Sequence, residues 1–229
     1  MTTASIQGLD EATRVLGGAL LGPRELATAL GYDPLGVLTA EEARAVARIP
    51  FSRDMLARAK VDGEILVLRV PRDPDGPLTM LRLADRLRGG LDARVHKGVG
   101  YTLREEWTID AQPFATTEVC TASWWLVART PAPTTFNRTY EVQERRLADL
   151  PAVDPQRPRR RSAVEIAYDT LLWQRAHGER LLAETWDWSR SASIDQGYAA
   201  LGEFNPDGLK VIAYSRAVRF GTLGVCPQH

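Results

Sequence analysis

The change of periodicity at Gly178 constrains this chain more than any other feature. Before it, Ser162 and Glu165 form a capping-box pattern that opens a helix running to about Ala176. Its apolar residues Val164, Ala167, Tyr168, Leu171 and Leu172 recur at spacings of three and four. Gly178 suits the helix end, where a left-handed residue is needed. After it the helical spacing stops. Thr185–Ser191 (TWDWSRS), Tyr198–Phe204 (YAALGEF), Leu209–Ser215 (LKVIAYS) and Leu223–Cys226 (LGVC) read as four short strands. Turn signals at Asp195-Gln196-Gly197, at Asn205-Pro206-Asp207-Gly208 and around Gly221 separate them.

Upstream of the helix, Trp124–Thr130 (WWLVART) reads as a strand ended by Pro131 and Pro133. Tyr140–Leu147 follows as a short helix, and Leu150–Arg161 as a loop rich in proline and arginine. Strand, two helices and four strands specify an α+β arrangement, with helices packed on one side of a mostly antiparallel sheet.

The amino-terminal part reads differently. Pro23 is placed for a first helical turn and Gly31 for a helix end. Thr39 with Glu42 is a second capping box, opening Ala40–Arg48 before Pro50 stops it. Ser52 can cap a third helix, in which Met55, Leu56 and Ala59 share a face. Glu64–Val70 reads as a strand, Pro71–Pro77 (PRDPDGP) as a turn-rich break, and Leu78–Leu87 as a helix ended by Gly89-Gly90. Tyr101–Trp107 reads as a short helix or strand. These patterns divide the chain into a helical region (1–60), a mixed α/β connection (61–121) and a carboxy-terminal unit (122–229).

The 229 residues carry 29 basic and 29 acidic side chains, so no long-range attraction to nucleic acid or an anionic membrane is expected from the chain as a whole. No stretch reaches the length of a membrane span, and the early apolar run Val15–Leu21 lacks a preceding basic region, so no signal peptide is expected. The expected location is cytoplasmic, or outside the cell as part of a larger particle. Cys120 and Cys226 belong to no CxxC or Cys/His cluster. They read as buried thiols, with a single bridge between them as the alternative.

The motifs IPFSRDML (Ile49–Leu56), WWLVART, TYEVQERRL, SAVEIAYDTLL (Ser162–Leu172), HGERLL (His177–Leu182) and the tail GEFNPDGLKV…LGVC (Gly202–Cys226) carry a resemblance. In this order they resemble the C-type-lectin fold as it occurs in formylglycine-generating-enzyme-like domains and in the variable proteins of diversity-generating retroelements. The likeness runs from about Ile49 to the end of the sequence. It implies a carboxy-terminal lectin-like domain in which glycines, Phe, Leu and Val of the tail build the fold, while the positions between them form a ligand surface. Here those positions are Glu203, Lys210, Ile212, Ala213, Ser215, Arg216, Val218, Phe220 and Thr222. They match only in part the Asn, Ser, Tyr and Asp that adenine-directed diversification enriches. The cysteine pair of formylglycine-generating enzymes has no counterpart before Cys226, so that activity is not carried over.

The residues give a parallel reading of their own. Leu209 and Val211 alternate inward, leaving Lys210 and Ile212 on the other side. Tyr214, Arg216, Arg219 and Phe220 cluster in sequence, and tyrosine and arginine are enriched at binding hot spots. Glycines 202, 208, 221 and 224 mark tight turns or close backbone approach.

Catalytic signals are absent from the sequence. Of the three histidines, His96, His177 and His229, His177 sits where a helix dipole favours it and no partner motif accompanies it, and His229 is expected to fray. Aspartates 73, 75, 187, 195 and 207 form no calcium-loop pattern and read as turn residues. Trp186 and Trp188 alternate on one strand, which predicts a buried pair packed on the 162–176 helix. The basic run Arg157 and Arg159–Arg161 reads as a solvated loop.

PRELATALGYDP followed by a capped helix looks like a helix-turn-helix, but Glu25, Asp33, Glu41 and Glu42 oppose a DNA-reading role. The expected protein is thus non-enzymatic, without metal or cofactor. A docking or oligomerisation module precedes a surface, from Glu203 through Lys210 to Thr222, that recognises a protein or cell-surface ligand. DNA binding through the amino terminus is the alternative.

Overall fold

The computed structural model describes residues 6–87, 101–102, 109–151, 157–194 and 197–229. In chain order the elements are α1 (Leu9–Leu16), β1 (Leu20–Leu21), α2 (Pro23–Leu30), α3 (Ala40–Val46), α4 (Arg53–Val61), β2 (Glu64–Arg69), β3 (Arg72–Asp73), β4 (Gly76–Pro77), α5 (Met80–Leu87), β5 (Tyr101–Thr102), α6 (Pro113–Thr116), β6 (Ser123–Ala128), α7 (Tyr140–Ala148), α8 (Ala163–His177), β7 (Trp186–Ala192), β8 (Tyr198–Asn205), β9 (Gly208–Tyr214) and β10 (Leu223–Gly224). The fold is α+β. Of the Tyr101–Trp107 segment, the first two residues are strand and the remainder lies outside the described residues, as do His96 and Asp195.

Local chemistry sets the helix boundaries. Thr39 Oγ1 accepts the Glu42 amide at 3.2 Å while the Glu42 carboxylate accepts the Thr39 amide at 2.8 Å. Ser162 and Glu165 repeat the arrangement at 3.3 and 2.7 Å. Each box satisfies two amides that a helix start leaves without intrahelical partners. Gly178, at φ 75°, ends α8 and donates its amide to the Gln174 carbonyl.

Two sheets enclose the core. In the first, β1 runs parallel to β2, and β2 pairs antiparallel with β6, Glu64 opposite Ala128 and Arg69 opposite Ser123. The strand that opens the 122–229 segment thus shares a sheet with residues 64–69, and one apolar core runs from Ile6 to Cys226. The second sheet has the order β10-β7-β8-β9-β5. Its centre is an antiparallel meander, whereas the two-residue edges β10 and β5 pair parallel.

The chain end does not fray. The Leu126 and His229 amides and carbonyls bond reciprocally at 2.9 and 3.1 Å, and the Ala128 amide donates to the Pro227 carbonyl. Residues 227–229 thereby lie along β6, and the His229 side chain is buried. Backbone pairing with a buried apolar strand outweighs the entropy that these residues lose on being ordered.

Helix α8 lies between the sheets. It is buried on every side from Ala163 to Trp173, rather than on one apolar face. Its apolar residues share the core with Leu201, Leu209 and Val211 of the meander, and the Tyr168 hydroxyl donates to the Leu68 carbonyl of β2. What makes its polar side buriable is a chain of paired charges. Arg69 donates from Nε to Asp169 Oδ1 at 2.8 Å and from Nη1 to Gln228 Oε1 at 2.6 Å, and Nη1 lies 3.1 Å from Glu165. Arg161 bridges Asp169 at 2.7 Å and Asp187 at 2.9 Å, and Asp187 also accepts the Cys226 amide. Burial alone would raise the Glu165 carboxyl. Arg69, the Ser162 amide, Arg190 and Arg159 outweigh it and hold the group at about 2.

The run Arg157–Arg161 is therefore no solvated loop. Arg157 and Arg159 are exposed, but Arg160 and Arg161 are buried because the folded chain supplies their acceptors. Cys120 and Cys226 are both free and buried, and burial pushes each thiol well above its ordinary range.

Candidate functional site: the outer face of the carboxy-terminal sheet

Strand alternation divides the meander into two faces. Leu201, Leu209 and Val211 face α8. The outer face carries Trp186 and Trp188 from β7, Tyr198, Ala200 and Gly202 from β8, and Lys210, Ile212 and Tyr214 from β9. Register aligns these in rows: Trp188, Ala200 and Ile212 in one, and Trp186, Gly202 and Lys210 in the next. Tyr198 sits opposite Tyr214. Small residues on the central strand make room for the indoles. At Gly202 the constraint is the neighbouring backbone, since a Cβ would lie 2.1 Å from the Thr185 carbonyl oxygen.

The two tryptophans are buried, yet they do not pack on α8. They form a second, smaller core with Tyr140 of α7, Ala200 and Leu223, on the opposite side of the sheet. Trp188 meets Tyr140 edge-on at 5.1 Å, and Tyr214 closes on both indoles at 6.2 and 6.5 Å. The period-2 pattern fixes only that the pair shares a face. Asp187, between them, takes the α8 side because its carboxylate meets Arg161 there.

Over this aromatic floor lies the loop 215–222, whose backbone is tied down at both ends. The Arg216 carbonyl accepts the Tyr140 amide at 3.0 Å, the Phe220 carbonyl accepts the Asn137 amide at 2.9 Å, and the Thr222 carbonyl accepts the Trp186 amide at 2.8 Å. With its carbonyls facing α7 and β7, the loop turns Ser215, Arg216, Arg219, Phe220 and Thr222 to solvent.

Arg216 tops a stack. Its guanidinium lies 4.9 Å from the Tyr198 ring and donates to the Tyr198 hydroxyl. Tyr198 stacks on Tyr140 at 4.4 Å, and Arg160 lies 4.1 Å from the Tyr140 ring. Burial pushes the Tyr140 phenol up to about 12. Phe220, 45% exposed, packs edge-on against Tyr214 at 5.2 Å. Val218 covers the second core from above.

At the far end of the face, Glu203 adopts φ 43° within a register shift of β8. Its carboxylate accepts Lys210 Nζ and the Trp186 indole N–H, and the Lys210 bond holds it below the usual carboxylate range. A non-glycine residue in the left-handed region stores strain that neighbours must stabilise, and such positions cluster at functional sites.

All eleven residues singled out from the sequence are partly or fully exposed: Glu203, Lys210, Ile212, Ala213, Tyr214, Ser215, Arg216, Val218, Arg219, Phe220 and Thr222. The structure gathers Ile212, Tyr214, Arg216, Val218 and Phe220 over the tryptophans. Ala213 stands apart, because alternation turns it to the opposite side of β9 from Ile212 and Tyr214. Sequence reasoning missed Tyr140, Tyr198 and Arg160. Tyr198 was accessible from its place two residues before Ala200 on a strand whose partner carries Trp188. Tyr140 and Arg160 come from separate segments, and no spacing joins them to the tail.

The remaining polar candidates are engaged structurally. His177 Nε2 lies 3.1 Å from the Leu20 carbonyl, and its ring stacks on Trp173. Asp73 accepts the Asp75 and Gly76 amides through Oδ1 and Arg82 and Arg86 through Oδ2. Those bonds overcome burial and lower its carboxyl to about 2. Among the described residues, no group of three or more His, Cys, Asp or Glu side chains is placed to hold a metal ion. No helix among them is long and apolar enough to cross a membrane. In the amino-terminal helix pair, α2 buries Leu26, Ala29 and Leu30, while α3 carries Glu41 and Glu42 in its first turn. Comparison with protein-family models, with curated proteins and with solved structures finds no match to this chain.

Proposed function

We propose that this is a binding protein whose carboxy-terminal unit, of C-type-lectin-like type, recognises a protein or cell-surface ligand through Tyr214, Arg216, Phe220 and their neighbours. One observation carries the reading. An exposed rim of arginine and aromatic side chains stands on a loop whose backbone is already fixed, above a closely packed aromatic floor. A surface of this kind binds with little loss of conformational entropy, and its residue types are those that dominate interface energetics. The reading is non-enzymatic. Its support is that His177, Asp73 and Asp187 are each engaged in structural bonds.

The test is a surface-display or binding screen with the full chain and with a triple variant, Tyr214→Ala, Arg216→Ala and Phe220→Ala. Loss of captured ligand with an unchanged circular-dichroism spectrum supports the proposal. Retained capture by the triple variant overturns it. A reverse-transcriptase gene and a near-repeat of the tail's coding sequence beside this gene would mark the surface as diversified.

A further inference from the structure

A second concavity lies away from the aromatic face. Helix α4 contributes Asp54, Met55, Arg58 and Ala59 to one wall, the segment Ala128–Pro133 forms another, and Leu150, Pro151 and Pro227 also line the cleft. Its volume is about 810 Å³, within the few hundred to a thousand Å³ of small-molecule sites. Four prolines, Pro131, Pro133, Pro151 and Pro227, stiffen the walls, so the space is preformed.

At its floor sits Glu64, the first residue of β2, 9% exposed. Its carboxyl lies 3.7 Å from His229 Nε2, too far for a hydrogen bond. Among the described residues no arginine or lysine pairs with it, in contrast to every other buried carboxylate of this fold. Glu165, Asp169, Asp187 and Asp73 each have at least one arginine within 3.1 Å. Burial and the nearby Asp62 raise the Glu64 carboxyl to about 7. A buried carboxyl without a strong cationic partner is costly, and such groups concentrate at ligand sites. The basic side chains of the cleft stand elsewhere. Arg58 is exposed at the rim, and Arg129 is drawn to Glu179 and over the Trp173 ring.

We propose that this cleft binds a small organic cation, a primary amine carried on a compact apolar body, with its ammonium on Glu64. The ammonium supplies a positive charge and hydrogen-bond donors at closer range than His229 Nε2, 3.7 Å away, provides. The apolar body lies against Met55, Ala59, Pro131 and Leu150. Asp54 and Asp62 at the rim favour the same sign of charge.

The test uses benzylamine and its uncharged counterpart benzyl alcohol as probes, titrated into the full chain and followed by amide chemical shifts and calorimetry. The expected result is shifts confined to Gly63, Ala128 and Ala132, with benzylamine bound about tenfold more tightly than the alcohol, or ~1.4 kcal/mol. Glu64→Gln, nearly isosteric, removes that preference. Ala132→Trp, which obstructs the cleft from its wall, weakens both probes whatever the fate of the first variant. Arg216→Ala leaves binding unchanged, which separates this site from the aromatic face. Equal affinity for the two probes, no binding of either, or an amine preference that survives Glu64→Gln overturns the proposal.

Discussion

The two faces of the carboxy-terminal sheet put the same residue type to opposite uses. Behind the sheet, Arg69 and Arg161 are withdrawn from water, and each is met by carboxylates from other segments of the chain. In front of it, Arg216 keeps 55% of its side chain exposed and rests on the rings of Tyr198 and Tyr140. An arginine in the first setting ties segments of the fold together, because each guanidinium pairs with two buried carboxylates. In the second, the flat guanidinium lies on aromatic rings and commits one donor to the Tyr198 hydroxyl, while more than half of the side chain stays exposed to a partner.

Asp169 gives the sharpest test of the buried side, since among the described residues it alone joins Arg69 to Arg161. Asp169→Asn keeps the shape and removes the charge between two buried guanidinium groups. Arg69 keeps Glu165 and Arg161 keeps Asp187, so the expected loss of unfolding free energy is that of charged hydrogen bonds, about 1.5–3 kcal/mol, read from urea denaturation. A loss below 1 kcal/mol would mean that the network contributes no more than surface charge, and the comparison between the faces would fail.

The physical boundary between the faces is Gly202. A methyl group there must displace the backbone of Thr185 and Trp186, where β7 begins. Gly202→Ala is expected to cost about 1–3 kcal/mol through overpacking. Near-ultraviolet circular dichroism should change with it, because Trp186 moves against Tyr214. An unaltered tryptophan signal would show that the sheet gives way on the α8 side instead.

Acidification probes the buried side without mutation. Glu165, held at about 2 in the folded chain, lies below the unfolded value near 4.3. Its contribution is therefore present above about pH 4 and is lost as the pH falls toward 2. The denaturation midpoint should drop across that window. Glu165→Gln should flatten the drop, whereas Arg216→Ala should leave it in place, since the ion pair of Arg216 with Glu141, at 3.7 Å, is exposed at the surface.

The division of the sheet was only half legible in the sequence. The capping boxes at Thr39 and Ser162, the end cap at Gly178 and the alternation of Leu209 and Val211 are written in short windows, and the structure has each of them. What no window contains is the partner across space. Arg160 and Arg161 read as solvated because their acceptors, Glu144, Asp169 and Asp187, lie on three other segments. The same holds for Trp186 and Trp188. Period 2 puts them on one face, but only the placement of Tyr140 over that face decides which side is theirs. His229 looked free for a related reason. Its pairing with Leu126 spans a hundred residues of sequence and carries no local mark.

The smallest stability effect carries the most functional weight. Arg216→Ala removes a stack on Tyr198, a bond to its hydroxyl and a 3.7 Å ion pair with Glu141, all at the protein surface. Exposed ion pairs contribute about 0–1 kcal/mol, so the unfolding free energy should move by no more than that. The loop should keep its course, since Tyr140 bonds the backbone carbonyl of residue 216 and not its side chain. Binding is expected to respond differently, with a loss of about 2 kcal/mol or more if Arg216 is an interface anchor. Arg216→Lys discriminates further: an ammonium keeps the charge but loses the flat stacking surface and the forked donors, so affinity should fall nearly as far as with alanine. If lysine restores binding in full, the outer face attracts its ligand by charge alone, and the contrast with the buried arginines is one of exposure rather than of geometry.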